Sequence, residues 1–480
     1  MRFALSRRPL ALVVSLCGCL VGCASVGALF VSYSDALQPV RLQLQLGQWD
    51  AAQAAIPDST VGDNNYVLDR LQQGRIAFLQ HDWSGSQRSW MAAATELNWQ
   101  DQQAEYRISH GLQQAGSLLS NDQTMAYQAP DYEQTLLHHY LALSYLFMDK
   151  TPDALVEIRQ ANQAQERALA RRDAQLSESA QEIEQAGLGE SLALAQQGLP
   201  PQPAGADSFK GKVQSGYTFY LSALLYEATG AFNDAYVDYR RALEVAPHNR
   251  TLQRDLLRLT QRMGLKQEYQ QYRQRFGALD ATDKTEGAAE RGSVVVLYEH
   301  ELIEPLREFY LPLPIATSDG DFRAFTIALP WFGATEYPVA AAPLSLDGAA
   351  GQTEPLVSLQ ALANQSLHER LPGILMRQLL RLVSKEALRH QAAKQGGDLG
   401  NILVSIYNAV SEHADTRSWS TLPYGISIWR DSVPVGQHQM TVGSGSAAQQ
   451  LTVPVAKGKV TLIWVSQLGG RGVHMVKMIS

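Results

Sequence analysis

The sequence predicts an α+β protein in which an all-helical N-terminal half precedes a C-terminal half of short strands around a helical insert. Two tryptophans, Trp49 and Trp83, lie 34 residues apart within similar phrases, which indicates a helical repeat. After Gly277 the chain becomes polar, and the apolar pattern that follows has the period of strands instead of helices. At 480 residues and 45% hydrophobic content, the chain is long enough for more than one core.

The clearest repeat runs from Tyr217 to Pro247. Its aromatic, small and proline residues have the spacing of a tetratricopeptide repeat, in which two helices approach closely and proline ends the second. The matching positions are Phe219, Ala223, Tyr226, Gly230, Ala235, Tyr239, Ala242 and Pro247. We therefore expect these residues to pack inside a tetratricopeptide-like solenoid that covers residues 32–277.

Further units of the solenoid are predicted upstream. Trp49 and Trp83 fall where the turn between paired helices is expected, and Ala142, Tyr145 and Ala154 occupy matching positions of another unit. Aromatic residues at repeat spacing are more typical of packing between helices than of a ligand site, so we interpret both tryptophans as packing residues.

The N-terminus has the pattern of a secretory signal. A basic start precedes an apolar run of about a dozen residues, which is too short to span a bilayer. The tetrad that ends at Cys23, Leu-Val-Gly-Cys, resembles the lipobox of bacterial lipoproteins, in which the cysteine is acylated and the chain is cut just before it. We predict a signal over residues 1–22, lipid attachment at Cys23 and a tether over 23–31. The tetrad Leu16–Cys19 is a second, weaker candidate for lipid attachment. An ordinary signal peptide with incidental cysteines is the alternative.

Cysteine usage and charge limit the environment and the partners. All three cysteines precede Ala24, so no disulfide is expected. In the lipoprotein resemblance, Ala24 and Ser25 favour export to the outer membrane, with the protein facing the periplasm. The formal net charge of -7 does not suit a nucleic-acid binder. Membrane contact is expected only through the lipid.

The C-terminal half is predicted to begin after a polar linker over residues 278–292. Residues 293–480 are interpreted as an α+β domain in which short strands form a small sandwich, with a helical insert over about 356–413. Ser293–Tyr298 and Phe322–Leu329 are the first expected strands, and Gly425–Met478 holds the others. The phrases PVGQHQMTV and VPVAKGKVTLIWV are interpreted as hairpins.

No catalytic set or metal site is predicted. His300 and Glu301 lack the second histidine of a zinc-protease helix, and the remaining histidines are scattered. We expect neither an enzyme nor a cofactor.

Two groups of residues are candidate interaction sites. Arg377, Arg381 and Lys385 recur every four residues, which predicts a basic stripe on a helix that either is solvated or anchors an acidic partner. The other group comprises Asp415, Arg417 and Trp419. It suits a hydrogen-bonded structural corner, with a ligand site as the alternative.

The chain resembles a family of uncharacterised tetratricopeptide-containing lipoproteins of Gram-negative bacteria. The resemblance rests on the Cys23 tetrad, the phrases HHYLALSYL and DALVEIRQA, the Tyr217–Pro247 repeat, and ADTRSW followed by TLP. It implies a topology and a cellular address only, since no activity is established for the family. The Cys23 tetrad, together with repeats that lack a catalytic set, leads us to expect a lipid-anchored periplasmic scaffold that binds envelope proteins through its repeats, with the oligomeric state left open. The alternative is an envelope hydrolase or glycan-binding protein that acts through the C-terminal domain.

Overall fold

The computed structural model describes residues 31–109, 123, 125–185, 189–200, 214–277, 279, 290–316, 322–333, 338–382 and 413–479. The chain is about 52% helical and 25% strand, with helices in the N-terminal part and sheets in the C-terminal part. The predicted α+β class is therefore confirmed. Cys23, the predicted site of lipid attachment, lies outside the described residues.

The helices of the N-terminal part pack as successive pairs. Their bounds are Tyr33–Ala36 (α1), Gln38–Gln45 (α2), Trp49–Ala54 (α3), Tyr66–Leu79 (α4), Trp83–Ser109 (α5), Asp131–Phe147 (α6), Thr151–Gln185 (α7), Gly189–Gln197 (α8), Gly216–Ala228 (α9), Phe232–Val245 (α10), Arg250–Arg262 (α11) and Lys266–Phe276 (α12). The pairs are α2 with α3, α4 with α5, α6 with α7, α9 with α10, and α11 with α12.

The same turn joins the two helices of each pair. Two positions before the second helix the backbone has a positive φ, at Gly47, His81, Asp149, Gly230 and Gly264. The next residue donates its N–H to a carbonyl five residues back, as Ala231 does to Tyr226 at 2.8 Å. This is the hydrogen bond of a Schellman helix end, for which glycine is the favoured residue. Because Gly47 and His81, and again Gly230 and Gly264, are 34 residues apart, the turns follow the period predicted from the tryptophans.

Of the residues predicted to pack inside the repeats, Gly230 is exposed at a turn, and the others lie at or beside the core. Ala142, Ala154, Phe219, Ala223, Ala235, Tyr239 and Ala242 are buried, whereas Trp49, Trp83, Tyr145, Tyr226 and Pro247 are half-buried. Trp83 packs edge-on against Phe78, with ring centroids 4.9 Å apart. Trp83 and Phe147 are likewise 4.9 Å apart, so this ring connects two successive helix pairs.

We expect Gly230→Ala to lower the free energy of unfolding by about 1–2 kcal/mol, the cost of placing a side chain at positive φ. No atom lies within 4 Å of the position where a Cβ would be added, so the effect measures the backbone alone. Urea unfolding of the full chain is the measurement. Gly333→Ala is the matched control, because the φ of Gly333 lies outside the positive range. An equal change in both variants would contradict this account of the turn.

The C-terminal part contains three sheets and one long helix among the described residues. The strands are Arg291–Leu302 (β1), Arg307–Ala316 (β2), Phe322–Trp331 (β3), Pro343–Leu346 (β4), Ala349–Gln352 (β5), Glu354–Ser358 (β6), Pro423–Pro434 (β7), Gly436–Val442 (β8), Gln449–Val455 (β9), Val460–Leu468 (β10) and Arg471–Ile479 (β11). Residues 359–382 form helix α13. The sheet orders are β11-β10-β1-β7-β6, β5-β4-β8-β9 and β2-β3, and β1 is parallel to β10.

The five-stranded sheet is the middle of three layers. Along β1, Val295 and Leu297 belong to a core shared with the helices, whereas Val294 and Val296 belong to a second core shared with the four-stranded sheet. Successive strand residues point to opposite faces, so a strand covered on both faces needs a continuous apolar run. This explains the Ser293–Tyr298 sequence.

Two predicted hairpins are wrong. The strands that flank Val435, β7 and β8, belong to different sheets, and so do β9 and β10 on either side of the turn at Lys457. The first connection crosses from the five-stranded to the four-stranded sheet, and the second crosses back. The observed pairs are β8 with β9 and β10 with β11. Local sequence marks a turn between strands, but which sheet each strand joins is decided by the two cores.

The predicted helix from Leu356 is also corrected. Leu356 lies in β6, and α13 begins at residue 359 and continues through Pro372 and Gly373 without a break in its described part. Burial of Leu371 and Leu375 against the core offsets the poor helix propensity of that dipeptide. Residues 383–412, which make up most of the rest of the predicted insert, lie outside the described residues.

Candidate functional site

The sheet packs against the first helix of three of the pairs, with β11 contacting α6, β6 contacting α9, and β7 contacting α11. This contact surface, which we call the helix–sheet interface, carries buried charges. Glu299 follows Val295 and Leu297 on the helix-facing side of β1, and its Oε2 accepts from Arg75 Nη2 of α4 at 2.5 Å. Both side chains are fully buried, so each charge depends on the other for its stability.

Tyrosines from two further pairs complete the Glu299 site. The hydroxyl groups of Tyr140 on α6 and Tyr217 on α9 donate to Glu299 Oε1 at 3.0 and 2.9 Å. Arg75 stacks over the Tyr140 ring at 4.8 Å and donates to Ser466 of β10 at 3.3 Å. One carboxylate on the sheet therefore joins three successive first helices. Burial raises the pKa of both hydroxyl groups, which keeps them protonated as donors.

A second buried network connects Arg430 of β7 to the last two helix pairs. Arg430 Nη1 lies 3.0 Å from Glu227 Oε2 of α9 and 3.1 Å from Asp255 Oδ1 of α11. Arg258 binds the other oxygen of Glu227 at 2.6 Å, and Tyr239 of α10 donates to Glu227 at 2.9 Å. Burial opposes ionisation of Glu227, but the two guanidinium groups outweigh it and hold the pKa of that carboxyl far below its usual range.

His139, beside the first network, is a buried titratable residue. Its ring lies 4.0 Å from that of Tyr217, and no described residue is a hydrogen-bond partner of either ring nitrogen. Burial, with a smaller contribution from the Arg75 charge, lowers the pKa of His139 to about 3. The folded protein therefore keeps this imidazole neutral at pH values where an unfolded chain would protonate it, near 6.5.

We expect the free energy of unfolding to fall by ~1.4 kcal/mol per pH unit below pH 6.5 through His139 alone, because only the unfolded state gains the proton. Above pH 6.5 the residue is neutral in both states and contributes no slope. Urea unfolding at several pH values from 7 to 4.5 gives the slope of the unfolding free energy against pH. In His139→Gln this slope should be smaller by the equivalent of one proton. His438→Gln is the control, because hydrogen bonding to Asp347 raises the pKa of His438. His438 therefore stabilises the folded protein as the pH falls, so its replacement should make the slope steeper. Identical slopes in wild type and His139→Gln would contradict the assignment.

The candidate residues Asp415, Arg417 and Trp419 lie in the segment that leads into β7 and contact the N-terminal part of the chain. Arg417 donates two hydrogen bonds to the Asp415 carboxylate, from Nε and Nη2, and each is 2.8 Å long. Its Nη1 donates to the Met125 carbonyl at 2.8 Å. The Trp419 side chain is fully buried, and its backbone N–H donates to Glu133 of α6 at 2.9 Å. These contacts have the geometry of the structural-corner interpretation.

Trp419 is surrounded by aromatic rings of the helices. Its ring centroid lies 6.1 Å from that of Trp90 and 6.0 Å from that of Tyr140. The indole N–H donates to Thr421, whose hydroxyl in turn donates to Gln72 of α4. The indole therefore does not line the polar cleft that the glycan-binding alternative requires.

The candidate basic stripe is only partly described. On α13, Arg377 is exposed, but Arg381 is 3% exposed and bonds Gln378 at 3.3 Å. The two cations thus differ in solvent access, unlike residues of one solvated face. Lys385 lies outside the described residues.

Beside the helix–sheet interface lies a pocket of about 620 Å³, which we call the β6 pocket. It is bounded by the end of α10, the start of α11, strand β6 and the start of α13. Pro247, predicted only to end a repeat, is one of its lining residues. The pocket was not predicted because its walls come from segments about 100 residues apart in the sequence.

Sequence reasoning also missed the buried ion pairs. The available signal was periodicity: Glu299 continues the alternation of Val295 and Leu297, which would place a carboxylate on a buried face, where it needs a cation. Its partner, Arg75, is distant in sequence, and periodicity gives no means of pairing the two.

The described residues contain no group of three or more histidine, cysteine, aspartate or glutamate side chains placed to hold a metal ion. None of the helices described is both long enough and apolar enough to cross a membrane. Comparison with protein-family models yields no match, and comparison with curated proteins likewise yields none.

Proposed function

We propose that the protein is a non-enzymatic adaptor of the bacterial cell envelope. In this proposal it is acylated at Cys23, held at the outer membrane on the periplasmic side, and binds an envelope protein through tetratricopeptide-like repeats. The signal-like N-terminus and the Leu20–Cys23 tetrad support the location. The eight matching positions of Tyr217–Pro247, the buried packing residues and the repeated helix ends support the repeat assignment.

The first helices do not offer the partner surface, because the protein's own sheet packs on α6, α9 and α11. Repeat proteins use extended surfaces formed by equivalent helices, and here the sheet already covers part of one of them. We therefore assign partner binding to the outer face, defined as the exposed side of the second helices α5, α7 and α10.

One observation carries this assignment. Exposed large apolar side chains recur on three second helices, at Met91 and Trp99 of α5, Val156 and Leu169 of α7, and Val237 of α10. Among the first helices, α2 exposes Leu42, whereas α4, α6, α9 and α11 expose none within their described residues. Val156 and Val237 are each two positions after a matching repeat alanine, Ala154 or Ala235. Apolar residues repeated at equivalent positions suit a protein partner better than scattered ones.

Photo-crosslinking in cells tests the proposal. A photoreactive residue at Trp99, Val156 or Val237 is expected to capture the same envelope protein, identified by mass spectrometry. Tyr310 of β2, which is 51% exposed and belongs to the two-stranded sheet, is the matched control. Equal capture from Tyr310, or no protein adduct from the outer face, would contradict the proposal.

The lipid anchor has a separate test. Cys23→Ala should abolish labelling of the protein by a fatty-acid probe, because Cys23 is the proposed attachment site. Persistent labelling would move the attachment to Cys19 or refute the lipoprotein assignment.

A further inference from the structure

The β6 pocket has the size and lining of a small-molecule site. Its volume of about 620 Å³ lies within the range of ligand pockets, which are mostly apolar with a few polar groups. Val245, Pro247, Leu356, Val357 and Leu362 supply apolar wall from three different elements. Neither the repeat pattern nor the proposed adaptor function uses this pocket.

Polar side chains in the wall are already hydrogen-bonded within the protein. Asn249 Nδ2 donates to the Pro355 carbonyl at 2.8 Å, and its Oδ1 accepts from the Leu252 N–H at 2.9 Å. Glu354 accepts from the Thr251 N–H at 2.8 Å and pairs with Arg254 at 3.2 Å. A ligand inside the pocket therefore meets mainly apolar surface.

The outer edge of β6 is poorly suited to an added peptide strand. Pro355 has no N–H to donate, and Asn249 occupies the carbonyls of Glu354 and Pro355. An extended peptide would have to displace these bonds to pair with the strand. A ligand without backbone hydrogen-bonding groups fits the wall better.

The mouth of the pocket carries positive charge. Arg250 is exposed and has no ion-pair partner among the described residues. Arg250 is also the first residue of α11, where the helix dipole disfavours a cation, so helix stability does not explain its position. The Glu354 carboxylate, the acidic group of the lining, is paired with Arg254. The mouth is therefore complementary to an anion.

We propose that the β6 pocket binds an amphipathic small molecule with a single acyl chain and an anionic end. The chain lies against Val357 and Leu362, and the anionic end lies at Arg250. This geometry leaves the outer face of the repeats free, so the ligand and the proposed protein partner occupy separate surfaces.

Calorimetric titration of the full chain carrying Cys23→Ala, which has no acyl group of its own at that position, tests the proposal. Dodecanoate and dodecyl phosphate are the anionic probes, and dodecanol is the neutral one. Both anions should bind in the micromolar range and dodecanol on the order of 5-fold more weakly, since it lacks the charge-assisted contact. Equal binding of all three, or no binding of the anions, would overturn the proposal.

Two variants locate the site. Arg250→Ala should weaken dodecanoate on the order of 5-fold, leave dodecanol unchanged, and be rescued by Arg250→Lys. Arg240→Ala, on the exposed side of α10 outside the pocket, is the matched charge control. Val357→Trp should weaken all three probes by ~10-fold or more, because the indole fills the chain's space. If Arg250→Ala and Arg240→Ala change the affinity for dodecanoate equally, the proposed site is wrong. This comparison remains valid even if Val357→Trp fails to fold.

Discussion

Arg75→Met is expected to lower the free energy of unfolding by ~3–5 kcal/mol at pH 7, because it leaves the Glu299 carboxylate buried without its cation. Both side chains are fully buried in the helix–sheet interface, so water cannot replace the lost partner. Urea unfolding followed by circular dichroism is the measurement. Arg70→Met, on the same helix and with a side chain 25% exposed, is the matched control and should change stability far less.

A double-mutant cycle separates the ion pair from simple loss of packing. Replacing both members, as Arg75→Met with Glu299→Leu, should recover much of the loss, since an apolar pair avoids the uncompensated charge. If the double variant is as unstable as the sum of the single variants, Arg75 acts through packing and the ion-pair account is wrong.

Trp419→Ala is expected to lower the free energy of unfolding by ~3–5 kcal/mol, the usual cost of deleting a large buried aromatic side chain. The indole contacts Trp90 and Tyr140 on two different helices, so its removal leaves a cavity against those helices. Trp99→Ala is the control, because Trp99 is 54% exposed on α5. Its stability effect should stay within about 0.5 kcal/mol.

The same pair of variants distinguishes the structural and the ligand interpretations of the 415–419 segment. The structural interpretation predicts reduced stability in Trp419→Ala with no separate glycan-binding activity to lose. A Trp419→Ala protein that is as stable as wild type but has lost binding to an envelope glycan would contradict it.

The sequence predicted those features that depend on local periodicity. The pairs of helices, the turn at Gly230, and the continuous apolar strand Ser293–Tyr298 follow from spacing that a single segment contains. The α+β class follows from the change of period after Gly277. Each of these signals is local, so one chain is enough to read it.

Features that depend on distant pairing were missed or wrong. Strand β2 contains Pro312 and Pro314, which predict a break, but in a two-stranded sheet the missing N–H groups can face away from the partner strand. The position of the sheet against α6, α9 and α11 depends on Arg75–Glu299 and Glu227–Arg430 pairs that are about 200 residues apart. Such separations leave no periodic signal in the sequence.

The central claim is that the first helices and the five-stranded sheet form one cooperative unit through the helix–sheet interface. Native-state hydrogen exchange of wild type and Arg75→Met tests it most directly, because the method reports local stability along the chain. We predict that protection of the α6 amides and of the β1 amides falls together, by the same free energy, in the variant. Loss of protection in α4 and α6 with β1 unchanged would show that the helices and the sheet are stable independently, and would contradict the account.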